Sequence, residues 1–138
     1  MERRFDTKIA IVLREDLLGW QRLNVTAFLA SGITAAHPQL VGEPYRDADG
    51  TTYLALLGQP VMVLEGSAPL VREAQQRAVR RDLPVAVFTA DMFATGNDED
   101  NRSVVRAAAG EDLDLVGIAV HGPRNAVDKV TKGARMHP

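Results

Sequence analysis

Residues 85–89, Val-Ala-Val-Phe-Thr, constrain the fold more than any other stretch of this chain. The run is short, apolar and rich in β-branched and aromatic residues, which is typical of a strand covered on both faces at the centre of an α/β sheet. The chain turns polar directly after it, with Asp91, Thr95, Asn97 and Asp98. Open α/β sheets place ligand sites past the carboxyl ends of their strands, so the sequence predicts a polar site here.

The rest of the chain alternates between predicted strands and helices. Further strands are predicted at 8–13, 61–64 and 114–120, and helices at 20–36, 68–81, 98–109 and 125–132. Residues 41–57 predict a hairpin around the turn sequence Asp-Ala-Asp-Gly, and the tail from 133 predicts a little edge pairing. We therefore expect one domain over 1–138, a three-layer α/β/α sandwich with a mixed, mostly parallel sheet.

The first predicted helix carries two stripes of residues at helical spacing. The apolar stripe, expected to pack on the sheet, is Trp20, Leu23, Ala27, Ala30 and Thr34. The second stripe is Asn24, Phe28 and Ser31, which we expect to face the crevice beside Asp91. The alternative is that these small polar residues lie on the surface and that Phe28 belongs to the core.

Composition excludes several classes of function. The chain has no cysteine, which excludes disulfides and zinc sites built on thiolates. A net charge of −2 disfavours tRNA or DNA as a partner, since nucleic-acid affinity depends on a basic surface. No signal peptide or membrane span is recognisable, so we expect a cytoplasmic protein. No metal-ligand spacing, Walker loop or dinucleotide fingerprint occurs, so neither a metal nor a cofactor is predicted.

Three segments support a resemblance to known families. Residues 115–133 contain an apolar strand, Gly-Pro, and the sequence Val-Asp-Lys-Val-Thr, and they resemble the end of the type II peptidyl-tRNA hydrolases. Together with Phe-Ala-Thr-Gly-Asn at 93–97 and Trp-Gln-Arg-Leu-Asn at 20–24, the chain more closely resembles the domain-of-unknown-function family 2000, a relative of those hydrolases. The resemblance covers nearly the whole chain and implies a peptidyl-tRNA hydrolase-like fold.

The resemblance also implies site residues. Asp91 and Thr95 match the hydrolase loop and are the candidate catalytic residues, with Asp91 as base or water-orienting group. The hydrolases carry Lys, Gln and His where this chain has Asn24, Phe28 and Ser31, so the cationic and titrating groups are replaced. We take these three and Asn97 as candidate ligand-binding residues. The alternative for Asp91, Thr95 and Asn97 is a turn with a helix cap.

Two classes of function therefore remain open. The first is a hydrolase of an acyl ester, or of a related small or tRNA-linked substrate. The second is a non-catalytic module that binds a small molecule or serves as a dimeric scaffold. The resemblance and the apolar first helix both favour a homodimer. His121, Asp128 and Lys129 could be functional or structural, and the sequence alone does not decide between these roles.

Overall fold

A computed structural model describes residues 5–136 of the chain. The described residues form seven strands and four α-helices, in the order β1 (Thr7–Arg14), α1 (Gly19–Ala36), β2 (Tyr45–Arg46), β3 (Thr52–Tyr53), β4 (Val61–Gly66), α2 (Ala68–Arg80), β5 (Val85–Thr89), α3 (Asp98–Arg106), β6 (Leu115–Pro123), α4 (Arg124–Val130) and β7 (Arg135–Met136). A short 3-10 turn, Ala90–Ala94, links β5 to the loop before α3. No helix within residues 5–136 combines the length and the apolar character that crossing a bilayer requires.

The main sheet has five strands in the order β5-β6-β1-β4-β7. Only β1 and β4 are parallel, with Ile9 opposite Val61; the other neighbours, β5/β6, β6/β1 and β4/β7, are antiparallel. The sheet is mixed, as predicted, but the prediction that it is mostly parallel is wrong. A strand buried on both faces has the same apolar sequence in either direction, so the pattern could not decide the orientation of β6.

Helices cover both faces of this sheet, which confirms the three-layer α/β/α arrangement. Alternate residues of β1 point to opposite sides, as strand geometry requires. Ile9, Ile11 and Leu13 join the core under α1, whereas Ala10 and Val12 join the core under α2 and α4.

The buried face of α1 differs from the predicted one. Val25, Leu29 and Ile33 pack on the sheet, while Trp20 and Leu23 are exposed. The helix carries apolar or uncharged side chains nearly all round, with Arg22 as its single charged residue. Periodicity therefore could not select the packed face.

Other predicted elements agree with the structure within a few residues. The hairpin forms as a short ribbon, with Tyr45 opposite Tyr53, and the tail pairs with β4 through Arg135 and Met136. The predicted break at Gly122 is wrong, because β6 continues to Pro123, which lies opposite Thr7 of β1.

Candidate functional site

A cavity of about 880 Å³ lies between α1, β5 and α3 and opens to solvent. We call it the cleft. Its two walls are α1 and α3, its floor is the middle of β5, and the loop of Thr95 and Gly96 closes one end. Its volume lies within the range of about 300–1,000 Å³ that is usual for small-molecule sites.

Four aromatic side chains form the apolar part of the cleft. Phe88 is buried in the floor, with its ring centroid 5.7 Å from that of Phe28 and 5.3 Å from that of Phe93. Trp20 meets Phe93 edge to face at 5.6 Å. These separations suit favourable aromatic pairs. Trp20 and Phe28 are nevertheless more than half exposed, at 58% and 54%. The cleft therefore presents aromatic surface to water.

The charges of the cleft come from α3. The one charged residue of α1, Arg22, lies outside the cleft lining, with Nη1 2.6 Å from Glu65 Oε2. On α3, Asp98 forms an ion pair with Arg102, and Arg106 has no ion pair among residues 5–136. Although α3 as a whole carries three acidic and two basic side chains, Arg106 is thus a cation of the cleft lining without an ion-pair partner in the described part of the chain.

The structure brings together five of the six predicted site residues. Asn24, Phe28, Ser31, Thr95 and Asn97 all line the cleft. The stripe of Asn24, Phe28 and Ser31 faces the loop after β5, as the spacing predicted. The Asn24 side chain has no hydrogen-bond partner in the described part of the chain, so its carboxamide is free to meet a ligand.

Asp91 is the exception. It is exposed and does not line the cleft. Side chains in a 3-10 turn follow one another by about 120°. Met92 and Phe93 both point into the cleft, which leaves the third direction to Asp91. The expectation that Asp91 borders the crevice is therefore wrong, because the chain forms a tight turn where a simple loop was assumed.

Thr95 and Asn97 hold the loop in place. The Thr95 hydroxyl donates to the Met92 carbonyl oxygen at 2.9 Å and contacts the Asn101 carboxamide. Asn97 caps α3, with its Oδ1 accepting from the Asp100 amide at 2.8 Å. The turn-and-cap alternative thus describes the local bonds of both residues, even though both also line the cleft. Ser31 donates to the Phe28 carbonyl oxygen at 2.6 Å.

Sequence reasoning missed Trp20, Phe93 and Arg106 as cleft residues. Helical spacing predicts Trp20 on the packed face of the helix, and Arg106 is one of many arginines in the sequence. The sequence-level signal for Arg106 is its spacing from Asp98: Arg102 lies four residues after Asp98 and pairs with it, whereas Arg106 lies a further turn away without an acidic partner.

The model of a family described as "Protein of unknown function (DUF2000)" matches residues 7–138. This chain belongs to the DUF2000 family. A solved structure described as a protein of unknown function, Atu0240 from Agrobacterium tumefaciens strain C58, is 45% identical, with a TM-score of 0.95 over 98% of this chain and 100% of that one. No protein with a curated description matches the chain.

Family membership confirms the resemblance to DUF2000, and the description of this family names no activity. The further relation to the type II peptidyl-tRNA hydrolases stays a prediction, as do the homodimer and the cytoplasmic location. Within residues 5–136, no cluster of three or more His, Cys, Asp or Glu side chains is placed to hold a metal ion.

Asp128 and Lys129 lie outside the cleft of this DUF2000 protein. Lys8 Nζ on β1 donates to Asp128 Oδ1 at 2.7 Å, which ties α4 to the central strand. Lys129 is exposed. The structural interpretation therefore suits Asp128.

His121 forms a pair with His37, also outside the cleft. The ring centroids are 4.5 Å apart, and both Nε2 atoms are buried with no hydrogen-bond partner among the described residues. Burial, together with the neighbouring His37, lowers the pKa of His121 from its usual 6.5. The folded protein therefore disfavours the protonated imidazole.

This lowered pKa predicts a pH dependence of stability. Below pH 6.5 the unfolded state binds a proton at His121 that the folded state resists, so the free energy of unfolding falls as pH drops through this range. Above pH 6.5 both states are neutral at this residue and the effect vanishes. We expect His121→Gln to lose less stability than the wild type when urea unfolding is repeated from about pH 7 to pH 5. An identical loss of stability in both proteins would show that His121 does not cause this pH dependence.

Proposed function

We propose that this protein is a non-catalytic binding module whose cleft takes a small ligand with an apolar body and an anionic end. One observation carries the proposal: exposed aromatic side chains on one side of the cleft face the unpaired Arg106 on the other. Water-exposed aromatic surface in a concave site gains free energy when a ligand covers it. An arginine without an internal partner is suited to bind a carboxylate or phosphate.

The residues available for chemistry favour binding over hydrolysis. A hydrolase needs a base or nucleophile aimed at the bound substrate. Asp91, the candidate base, is outside the cleft lining, and the Thr95 hydroxyl already donates within its own loop. Asn24 and Ser31 stand where the hydrolases carry Lys and His, and neither side chain ionises near neutral pH. Hydrolysis stays the weaker candidate.

The experiment uses 1-anilinonaphthalene-8-sulfonate, which combines aromatic rings with an anionic sulfonate. Titration into the folded protein should give a saturable rise in dye fluorescence. Phe28→Glu places a negative charge among the aromatic side chains, and Arg106→Ala removes the cation, so each should weaken binding at least about fivefold. Leu54→Glu and Arg80→Ala are matched controls, because both residues are exposed and outside the cleft lining. Equal affinities for all five proteins would contradict the proposal.

The hydrolase candidate is tested in parallel with p-nitrophenyl butyrate and with a peptidyl-tRNA. We expect no release of acyl groups above the uncatalysed rate. Turnover that disappears in Asp91→Ala would contradict a non-catalytic role for this protein and would identify Asp91 as a catalytic residue.

A further inference from the structure

The floor of the cleft is an unpaired edge of the sheet. β5 is the outermost strand on its side, paired only with β6 among the described strands. Ala86, Val87 and Phe88, the middle of β5, all line the cleft. The backbone of this strand therefore borders the space in which a ligand would lie.

Backbone direction alternates along a strand, so the outward-facing groups can be assigned. The Ala90 amide donates to the Asp114 carbonyl oxygen at 2.9 Å, on the β6 side. The Thr89 amide points the other way and meets Met92 Sδ at 3.2 Å. The β5/β6 register shifts between Phe88 and Thr89, but the extra residue, Val116, is on β6, so the alternation along β5 continues. Counting back, the N–H and C=O of Val87 face away from β6, and Val87 lines the cleft. Neither group has a hydrogen-bond partner in the described part of the chain.

Two helices flank this edge on opposite faces of the sheet. Phe28 of α1 packs over Phe88 on one face, while Val105 of α3 packs on the core of the other face, as do Val85 and Val87. The edge is therefore recessed between the two walls of the cleft. A second copy of this chain has its own β5 between the same two walls, which favours a single extended chain over a second β5 edge as the occupant. A single extended chain is narrow enough to enter.

We propose that the natural ligand of the cleft is an extended peptide segment that adds to β5 as a further strand. This inference rests on the binding function proposed above and specifies its ligand class. The peptide backbone would exchange hydrogen bonds with Val87, as in other cases of strand addition. β5 spans five residues, so a segment of about five residues would be held.

The two walls specify the side chains of this peptide. Successive residues of a strand point to opposite faces. Those on the α1 side would meet Trp20, Phe28 and Phe93, and those on the α3 side would meet Arg106. The cleft therefore favours a segment in which apolar and acidic residues alternate.

The test uses an acetylated, amidated pentapeptide of sequence Glu-Leu-Glu-Leu-Glu, which reads the same in both directions and so needs no assumed strand orientation. Its control is Leu-Leu-Glu-Glu-Glu, which has the same composition and charge without the alternation. We expect the alternating peptide to bind at least about tenfold more tightly by isothermal titration calorimetry, and Arg106→Ala to weaken its binding where Arg80→Ala does not.

N-methylation of the peptide separates strand addition from side-chain binding without changing the protein. A methyl group on amides that face β5 should weaken binding about tenfold, and a methyl on the intervening amides should have little effect. Hydrogen exchange at the Val87 amide should slow when the peptide is bound.

Several outcomes would overturn the inference. These are equal affinity for the two pentapeptides, an affinity that N-methylation changes at no position, or unchanged hydrogen exchange at the Val87 amide in the bound state. Protection of Val87 that rises with protein concentration alone would instead assign the edge to a second copy. If the dye binds the cleft and the peptide does not, strand addition fails while the proposed binding function stands. If neither binds, both fail.

Discussion

Replacing Phe88 by alanine should lower the free energy of unfolding by about 3–5 kcal/mol, the largest effect that we expect from a single change in this protein. Phe88 is only 5% exposed and joins the core between the sheet and α1. Its ring also supports Phe28 and Phe93, at 5.7 Å and 5.3 Å. Truncation removes buried apolar area and leaves a void beneath the cleft. Urea unfolding followed by circular dichroism measures the loss.

The matched control for Phe88→Ala is Phe28→Ala. Phe28 is the same residue type in the same cluster, but 54% of it is exposed. Its truncation should lower the free energy of unfolding by only about 1 kcal/mol, mainly through the lost aromatic contact. Dye binding should weaken in both variants, because both lose cleft surface. Equal stability losses would show that Phe88 is not the buried member of the pair.

Gly117→Ala should destabilise the protein by about 1–3 kcal/mol through overpacking. Gly117 lies on β6 directly beneath α1. A Cβ there would lie 2.8 Å from Val25 Cγ1, 3.1 Å from Leu29 Cδ1 and 3.2 Å from Leu13 Cδ2. The Val25 side chain is β-branched and has little rotamer freedom in a helix, so α1 itself must move. Since α1 carries Asn24 and Phe28, dye affinity should fall as well.

Gly19→Ala is the matched control for this substitution. Gly19 is the first residue of α1, and a Cβ there would have no atom within 4 Å apart from its chain neighbours and the backbone of its own helical turn. Alanine is also the better helix former, so this variant should be as stable as the wild type or slightly more stable. If Gly117→Ala matches it in stability and in dye binding, the close approach of α1 to β6 does not position the cleft wall.

Much of this architecture follows from the sequence because its strands are strongly apolar. The run at 85–89 predicts β5 with its observed bounds, and the turn-rich stretch before Tyr53 predicts the ribbon. The sequence does not predict whether neighbouring strands are parallel or antiparallel, because a strand covered on both faces has the same apolar pattern in either orientation. The prediction that β5 is a central strand is wrong: β5 is an edge strand whose first three residues are only partly buried, and its apolar sequence does not reveal this.

The site was predictable in part. Helical spacing placed Asn24, Phe28 and Ser31 together, and the structure sets them opposite the loop of Thr95 and Asn97. The orientation of Asp91 depends on a single 3-10 turn, which no composition rule distinguishes from an open loop. The importance of Arg106 depends on which arginines find acidic partners in three dimensions, and that is a tertiary property.

The central claim is that α1, β5 and α3 enclose a working binding cleft, and Trp20 offers the most direct measurement of it. Trp20 is the single tryptophan of the chain and lines the cleft. Excitation of Trp20 should transfer energy to bound 1-anilinonaphthalene-8-sulfonate in the wild type and in Leu54→Glu. In Phe28→Glu, this transfer should be lost together with the binding. Dye that binds Phe28→Glu as tightly as the wild type, with the same transfer from Trp20, would contradict the claim.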